Sequence, residues 1–135
     1  MLYTAGMEHF GEHLMIDGYG GDERLLNSRE LVMACLHYLP AWMGMHTLAE
    51  PVVHHAPEND VKDPGGWSGF VVIAESHISI HTFPRRRFVS IDTYTCQNGL
   101  DVQAVTDFFK KSFALEDVEV QFAKRGTRYP AHNLA

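Results

Sequence analysis

Apolar residues recur along this chain in two rhythms, one suited to strands and the other to helices. Leu14-Met15-Ile16 is a short apolar run that reads as a buried strand, and Gly18-Tyr19-Gly20-Gly21-Asp22 ends it as a turn. Asn27 followed by Glu30 resembles a capping box, and Leu31, Ala34, Cys35 and Tyr38 then recur at helical spacing. Pro40 is expected to close that helix, and Cys35 on its stripe reads as a small core residue. Met43 to Val53 has no decisive rhythm and is compatible with a strand. From Glu50 to Gly66 the chain is rich in Pro, Asp, Asn, His and Gly and predicts a long loop, a kind of segment that is often functional.

Beyond that loop the strand rhythm dominates. Gly69 to Ala74 is a continuous apolar strand, and Ile78 and Ile80 alternate with Ser79 and His81. From Phe88 to Cys96 the alternation sends Val89, Ile91, Thr93 and Thr95 to one face and their neighbours to the other. Asp101 can cap a second helix carrying Val102, Val105, Phe108 and Phe109 on one side. Val118, Val120 and Phe122 mark a last strand, and the tail from Gly126 is expected to be mobile. The order of elements predicts an α+β domain. It is a two-layer sandwich, an antiparallel sheet with its helices on one face.

Composition narrows what such a domain can do. Its 135 residues suit one domain, and 45% hydrophobic with 21% charged residues is ordinary for a folded protein. A net charge of -6 lacks the basic footprint of a nucleic-acid binder. Arg85-Arg86-Arg87, between two strand-like segments, reads as a solvated turn. Cys35 and Cys96 are too far apart for a zinc motif, and two cysteines make no disulfide framework. No run reaches membrane-spanning length, and Met1 to Phe10 holds no signal-like apolar core. The expectation is a cytoplasmic protein with reduced thiols and neither a membrane nor a nucleic-acid partner.

The chemistry concentrates around Ser76. On an ideal strand Glu75, His77, Ser79 and His81 share a face, but His77 and His81 would lie roughly 13 Å apart, too far to share a metal. No G-x-S-x-G surrounds Ser76, so a nucleophile elbow is also disfavoured. Taken alone, the cluster reads as a polar strand face.

The run ESHISIHTFP, residues 75–84, resembles the processing-site motif of prokaryotic S-adenosylmethionine decarboxylases. The likeness extends to Ser68-Gly69 and Thr95-Cys96 at matching spacing, and to Gly11, His13-Leu14, Asp17 and Tyr19-Gly20. It implies a chain that cuts itself between Glu75 and Ser76 into a β chain, 1–75, and an α chain, 76–135. Ser76 would become a pyruvoyl cofactor, the carbonyl electron sink that ordinary side chains lack. His81 matches the histidine that removes the Ser76 α-proton, Ser68 the serine that assists the acyl shift, and Cys96 the proton donor of turnover. With a metal already disfavoured by the spacing of His77 and His81, the resemblance implies a small α-amino acid substrate, a part in polyamine (spermidine) synthesis, and a homodimer of processed protomers with sites formed between them.

Two positions depart from that pattern. Arg85 stands where relatives carry a glutamate that holds the ribose, and Lys62 where they carry an aromatic that stacks on adenine. As substrate-contacting positions these two open an alternative on the same scaffold, L-arginine or L-ornithine. The loop carboxylates Glu58, Asp60 and Asp63 could offset their charge. A non-catalytic partner that activates a related enzyme is a further alternative, against which the intact Ser76, His81 and Cys96 argue.

Overall fold

The computed structural model describes residues 9–59 and 61–130. Six strands form one antiparallel sheet: β1 (Gly11–Tyr19), β2 (Val52–Ala56), β3 (Gly66–Ile73), β4 (Ser76–Phe83), β5 (Phe88–Thr95) and β6 (Asp117–Arg125). Their spatial order is β2-β3-β4-β5-β1-β6, which leaves β2 and β6 at the edges. The helices are α1 (Glu23–Leu26), α2 (Arg29–Trp42) and α3 (Val102–Phe113). The predicted α+β layering is therefore the one observed.

Alternation decides which face of each strand is buried. Leu14 and Ile16 of β1, Val71 and Ile73 of β3, Ile78 and Ile80 of β4, and Val89 and Ile91 of β5 are all buried on one face. The helices cover that face with Val32, Leu36, Leu39, Val105, Phe109 and Phe113. Each such side chain contributes about 1.5–3 kcal/mol of hydrophobic stabilisation. The other face of the sheet is open. Residues that pair across strands share a face, so the register groups the open-face side chains into rows. One row is His54, Ser68, His81, Ser90, Asp17 and Glu119; its neighbour is Val52, Phe70, Ser79, Asp92, Met15 and Gln121.

Several sequence expectations need correction. The N-cap of α2 is Ser28, whose Oγ accepts from the Leu31 N–H at 3.1 Å, while Asn27 ends the short helix α1. Pro40 lies inside α2, which continues to Trp42. Tyr38 is not on the buried stripe but 66% exposed, and Val32, Leu36 and Leu39 join Cys35 in the core instead. The long loop is shorter than expected because β2 is cut out of it. Gly126 to Pro130 is not loose throughout, since Tyr129 packs on Phe10 with ring centroids 4.7 Å apart. Asp60 and residues 131–135 lie outside the described residues.

Two backbone details position the hairpin that carries the site. At Gly66 a Cβ would meet the Thr82 carbonyl oxygen at 1.9 Å, so only glycine lets β3 approach β4 this closely. At the other end of the pair, Ile73 sits directly opposite Ser76, and the connecting turn is just Ala74-Glu75.

Candidate active site

Ser76 is the first residue of β4 and points to the helix-covered side, where it is only 6% exposed. Its Oγ accepts a hydrogen bond from the backbone N–H of Cys96 at 2.9 Å. Cys96 lies one residue past the end of β5, and its thiol donates to the Ala74 carbonyl at 3.7 Å. The pairing of β4 with β5, His77 opposite Tyr94, sets this proximity. Ser76, Cys96 and the two-residue turn thus form one cluster.

Ser68 and His81 form a second. They face each other across β3 and β4, and His81 Nδ1 is hydrogen-bonded to Ser68 Oγ at 2.8 Å. Both lie on the open face, with His81 exposed. His81 stands five residues from Ser76, an odd number, so the two side chains leave opposite faces of β4. The separation along the strand is about 16 Å. Within one copy these pairs do not meet. His77, Ser79 and His81 do share the open face as expected, whereas Glu75 is in the turn and not on the strand.

Lys62 and Arg85 come together at a third place. They line one polar cavity of about 320 Å³ with Glu58, Asn59, Asp63 and Arg86. The cavity lies between the loop after β2 and the turn before β5. Asn59 shapes the loop, its Oδ1 accepting from the N–H groups of Val61, Lys62 and Asp63 at 3.0 to 3.2 Å. The Arg85 guanidinium reaches Glu58 Oε2 at 3.5 Å, so this cation brings a carboxylate with it.

Two residues that sequence reasoning did not single out belong near these clusters. Glu12 is a buried carboxylate, 6% exposed, that accepts from the N–H groups of Gly99 and Leu100 at 3.1 and 2.9 Å. His9 lies 3.0 Å from its other oxygen. Burial pushes the Glu12 pKa up, but the hydrogen bonds with His9, Leu100 and Gly99 and the attraction to His9 outweigh it, and the carboxyl ends below its ordinary value. Glu12 therefore clamps the loop that follows Cys96. His54 stands directly opposite Ser68 on the edge strand β2. Neither stood out in sequence, because Glu12's backbone partners Gly99 and Leu100 and the strand partner of His54 are distant along the chain. Cys35, by contrast, is a core thiol whose burial raises its pKa to about 11 despite a hydrogen bond with Ser112.

A profile described as S-adenosylmethionine decarboxylase matches residues 12–126. This chain belongs to the S-adenosylmethionine decarboxylase family. A Clostridium botulinum (strain Hall) relative named S-adenosylmethionine decarboxylase proenzyme is 29% identical over 120 residues, covering 89% of this chain and 97% of the relative. S-adenosylmethionine decarboxylase proenzyme 2 of Bacillus cereus (strain ZK) is 29% identical over 117 residues, covering 87% and 89%. The crystal structure of the adenosylmethionine decarboxylase from Aquifex aeolicus shares the fold, with a TM-score of 0.71 at 24% identity, covering 87% of this chain and 92% of that one. Nothing among these relatives favours the arginine or ornithine alternative, or a non-catalytic partner. Among the described residues of this family member, no group of three or more His, Cys, Asp or Glu is arranged to hold a metal ion. No described helix is long and apolar enough to cross a membrane.

Proposed function

We propose that this chain is a proenzyme that cuts itself between Glu75 and Ser76 and then decarboxylates S-adenosylmethionine through a pyruvoyl group made from Ser76. One observation carries the reading. Ser76 opens β4 at a two-residue turn, buried, with its Oγ held at 2.9 Å by the Cys96 N–H. A serine hydroxyl so placed can attack the carbonyl carbon of the residue before it and turn the amide into an ester. Loss of the Ser76 α-proton then expels residues 1–75 as a β chain and leaves 76–135 as the α chain.

The residues around Ser76 fit the group. The Cys96 N–H is a fixed donor beside it, and the Cys96 thiol faces the same turn. When present, a pyruvoyl group supplies a carbonyl that holds the substrate amine and takes up the electron pair left by carbon dioxide. Cys96 then serves as the acid that returns a proton to the substrate α-carbon, a task suited to a thiol.

His81 and Ser68 act on the Ser76 of a second copy. Support comes from the separation of about 16 Å within one copy and from the opposite faces of β4 on which the two pairs lie. The open face also exposes Phe70 and Val72 at 45% and 40%, apolar area that a second copy would cover. In the tautomer whose Nδ1–H donates to Ser68 Oγ, the His81 Nε2 is free to take the Ser76 α-proton. Ser68, fixed by the same bond, is poised to donate to an oxygen that develops negative charge during the acyl shift. The Lys62–Arg85 cavity receives the far end of the substrate. Glu58 offers there the hydroxyl-accepting carboxylate that Arg85 itself cannot.

Mass spectrometry of the purified protein tests the first half of this reading. Two chains divided between Glu75 and Ser76 are expected, the second with a blocked, pyruvoyl-bearing start. A single intact chain after long incubation overturns it. Release of carbon dioxide from S-adenosylmethionine tests the second half; cleaved protein that releases none overturns the substrate.

A further inference from the structure

The residue before the cleavage point has an unusual backbone. Glu75 has φ = 61°, in the left-handed region. Among the described residues, two other non-glycine residues share that region, Arg87 and Ala114. Both are C-caps, Arg87 of the turn Pro84–Arg86 and Ala114 of α3, where a left-handed residue is a normal way to stop. Glu75 ends no helix. It adopts this conformation as the second residue of a hairpin turn with only two residues between the paired Ile73 and Ser76.

The turn is held from both sides. The sheet register fixes Ile73 and Ser76, the Cys96 N–H fixes Ser76 Oγ, and the Cys96 thiol bonds the Ala74 carbonyl. For a residue with a Cβ, the left-handed conformation is disfavoured by a factor of about 5 to 30 relative to the right-handed one, while glycine carries no such penalty.

We propose that the left-handed Glu75 is strain stored in the uncut chain and released by the acyl shift, so that Glu75 promotes self-cleavage through its backbone and not through its carboxylate. The proposal rests on the self-cleavage reading above. In the shift, Ser76 Oγ bonds to the Glu75 carbonyl carbon and the carbon–nitrogen bond breaks. The hydroxyl proton ends on the Ser76 nitrogen, so an amide and an alcohol become an ester and an amine with no other reactant. The chain path from the Glu75 carbonyl carbon to Ser76 Cα then runs through Oγ and Cβ instead of N, one atom longer. The turn lengthens while its anchors stay in place, and Glu75 can leave the left-handed region. Glu75 is thus a positioning residue whose energy is spent at the step that needs it.

The test compares two substitutions in two backgrounds. With Ser76 present, Glu75→Gly should cleave about 5- to 30-fold more slowly than the natural chain, timed by chain separation on a denaturing gel. Glu75→Ala, which drops the carboxylate and keeps a Cβ, should retain most of the rate that Glu75→Gly loses. In a Ser76→Ala background, where nothing is cut, adding Glu75→Gly should raise the thermal midpoint and adding Glu75→Ala should not. Undiminished cleavage by Glu75→Gly overturns the proposal. So does a loss in Glu75→Ala equal to that in Glu75→Gly, which would assign the effect to the carboxylate, or an unraised midpoint in the uncut background. A natural chain that never cleaves is a different failure, that of the self-cleavage reading.

Discussion

The two ends of β4 are built for different work. At its start, Ser76 is buried against the helix layer, its hydroxyl fixed by a backbone donor and a thiol close by. Toward its far end, His81 stands in solvent on the open face, bonded to Ser68 on the next strand. In the function proposed above, the first end holds the bond to be broken among fixed partners, and the second holds the base that acts on another copy's Ser76. A reaction that needs a rigid electrophile and an accessible base can divide them in this way when the same strand is used twice, once from each of two copies.

The largest effect would come from separating the two ends genetically. A Ser76→Ala chain and a His81→Ala chain should each remain whole. Mixed so that they share dimers, they should restore cleavage of the His81→Ala chain, because it keeps Ser76 and borrows His81. A mixture that stays wholly uncut would place both pairs in one copy's site.

Next in size is Cys96→Ala. Its backbone N–H is retained, so the chain should still be cut, while turnover falls about 10²- to 10⁴-fold with the loss of a positioned acid. Normal carbon dioxide release by the cut variant would remove Cys96 from the chemistry.

The smallest effect concerns the loop after Cys96. Glu12→Ala should cost about 1.5–3 kcal/mol, the worth of hydrogen bonds to a charged acceptor, read from denaturant midpoints. The sign of its pH dependence follows from a carboxyl whose folded-state pKa lies below the ordinary value. Its contribution is complete above the unfolded pKa, about 4.3, and is lost as pH falls through the lower folded value. The gap between the natural chain and Glu12→Ala should therefore narrow only in acid below about pH 4. A gap independent of pH down to 3 would show that the carboxylate's charge is not what holds the loop.

Much of this arrangement was legible before any coordinates, and the reasons are physical. Period-two alternation in Phe88 to Thr95 and in Ile78 to Ile80 exists because one face of the sheet is buried, so those strands could be read directly. β2 was hidden because an edge strand with His54 and His55 exposed has almost no apolar signature, and α1 because a helix of four residues shows no period. The motif pointed to Ser76, Ser68, His81 and Cys96 as chemistry. The nearness of Ser76 to Cys96 depends on the register of two strands, and register is not written in either strand alone. The odd spacing of Ser76 and His81 was visible from the start. Its meaning emerged only once one face was covered by helices and the other was not.

The outermost strand, β6, carries a further consequence. Among the described residues nothing pairs with its outer edge, and Val120 and Phe122 are 40% and 41% exposed. Nine residues of open backbone beside exposed apolar side chains are a template on which foreign strands could stack into fibrils. Asp117, Glu119, Lys124 and Arg125 interrupt that template with charges of both signs. A visiting strand would have to bury or match each of them, which disfavours such pairing.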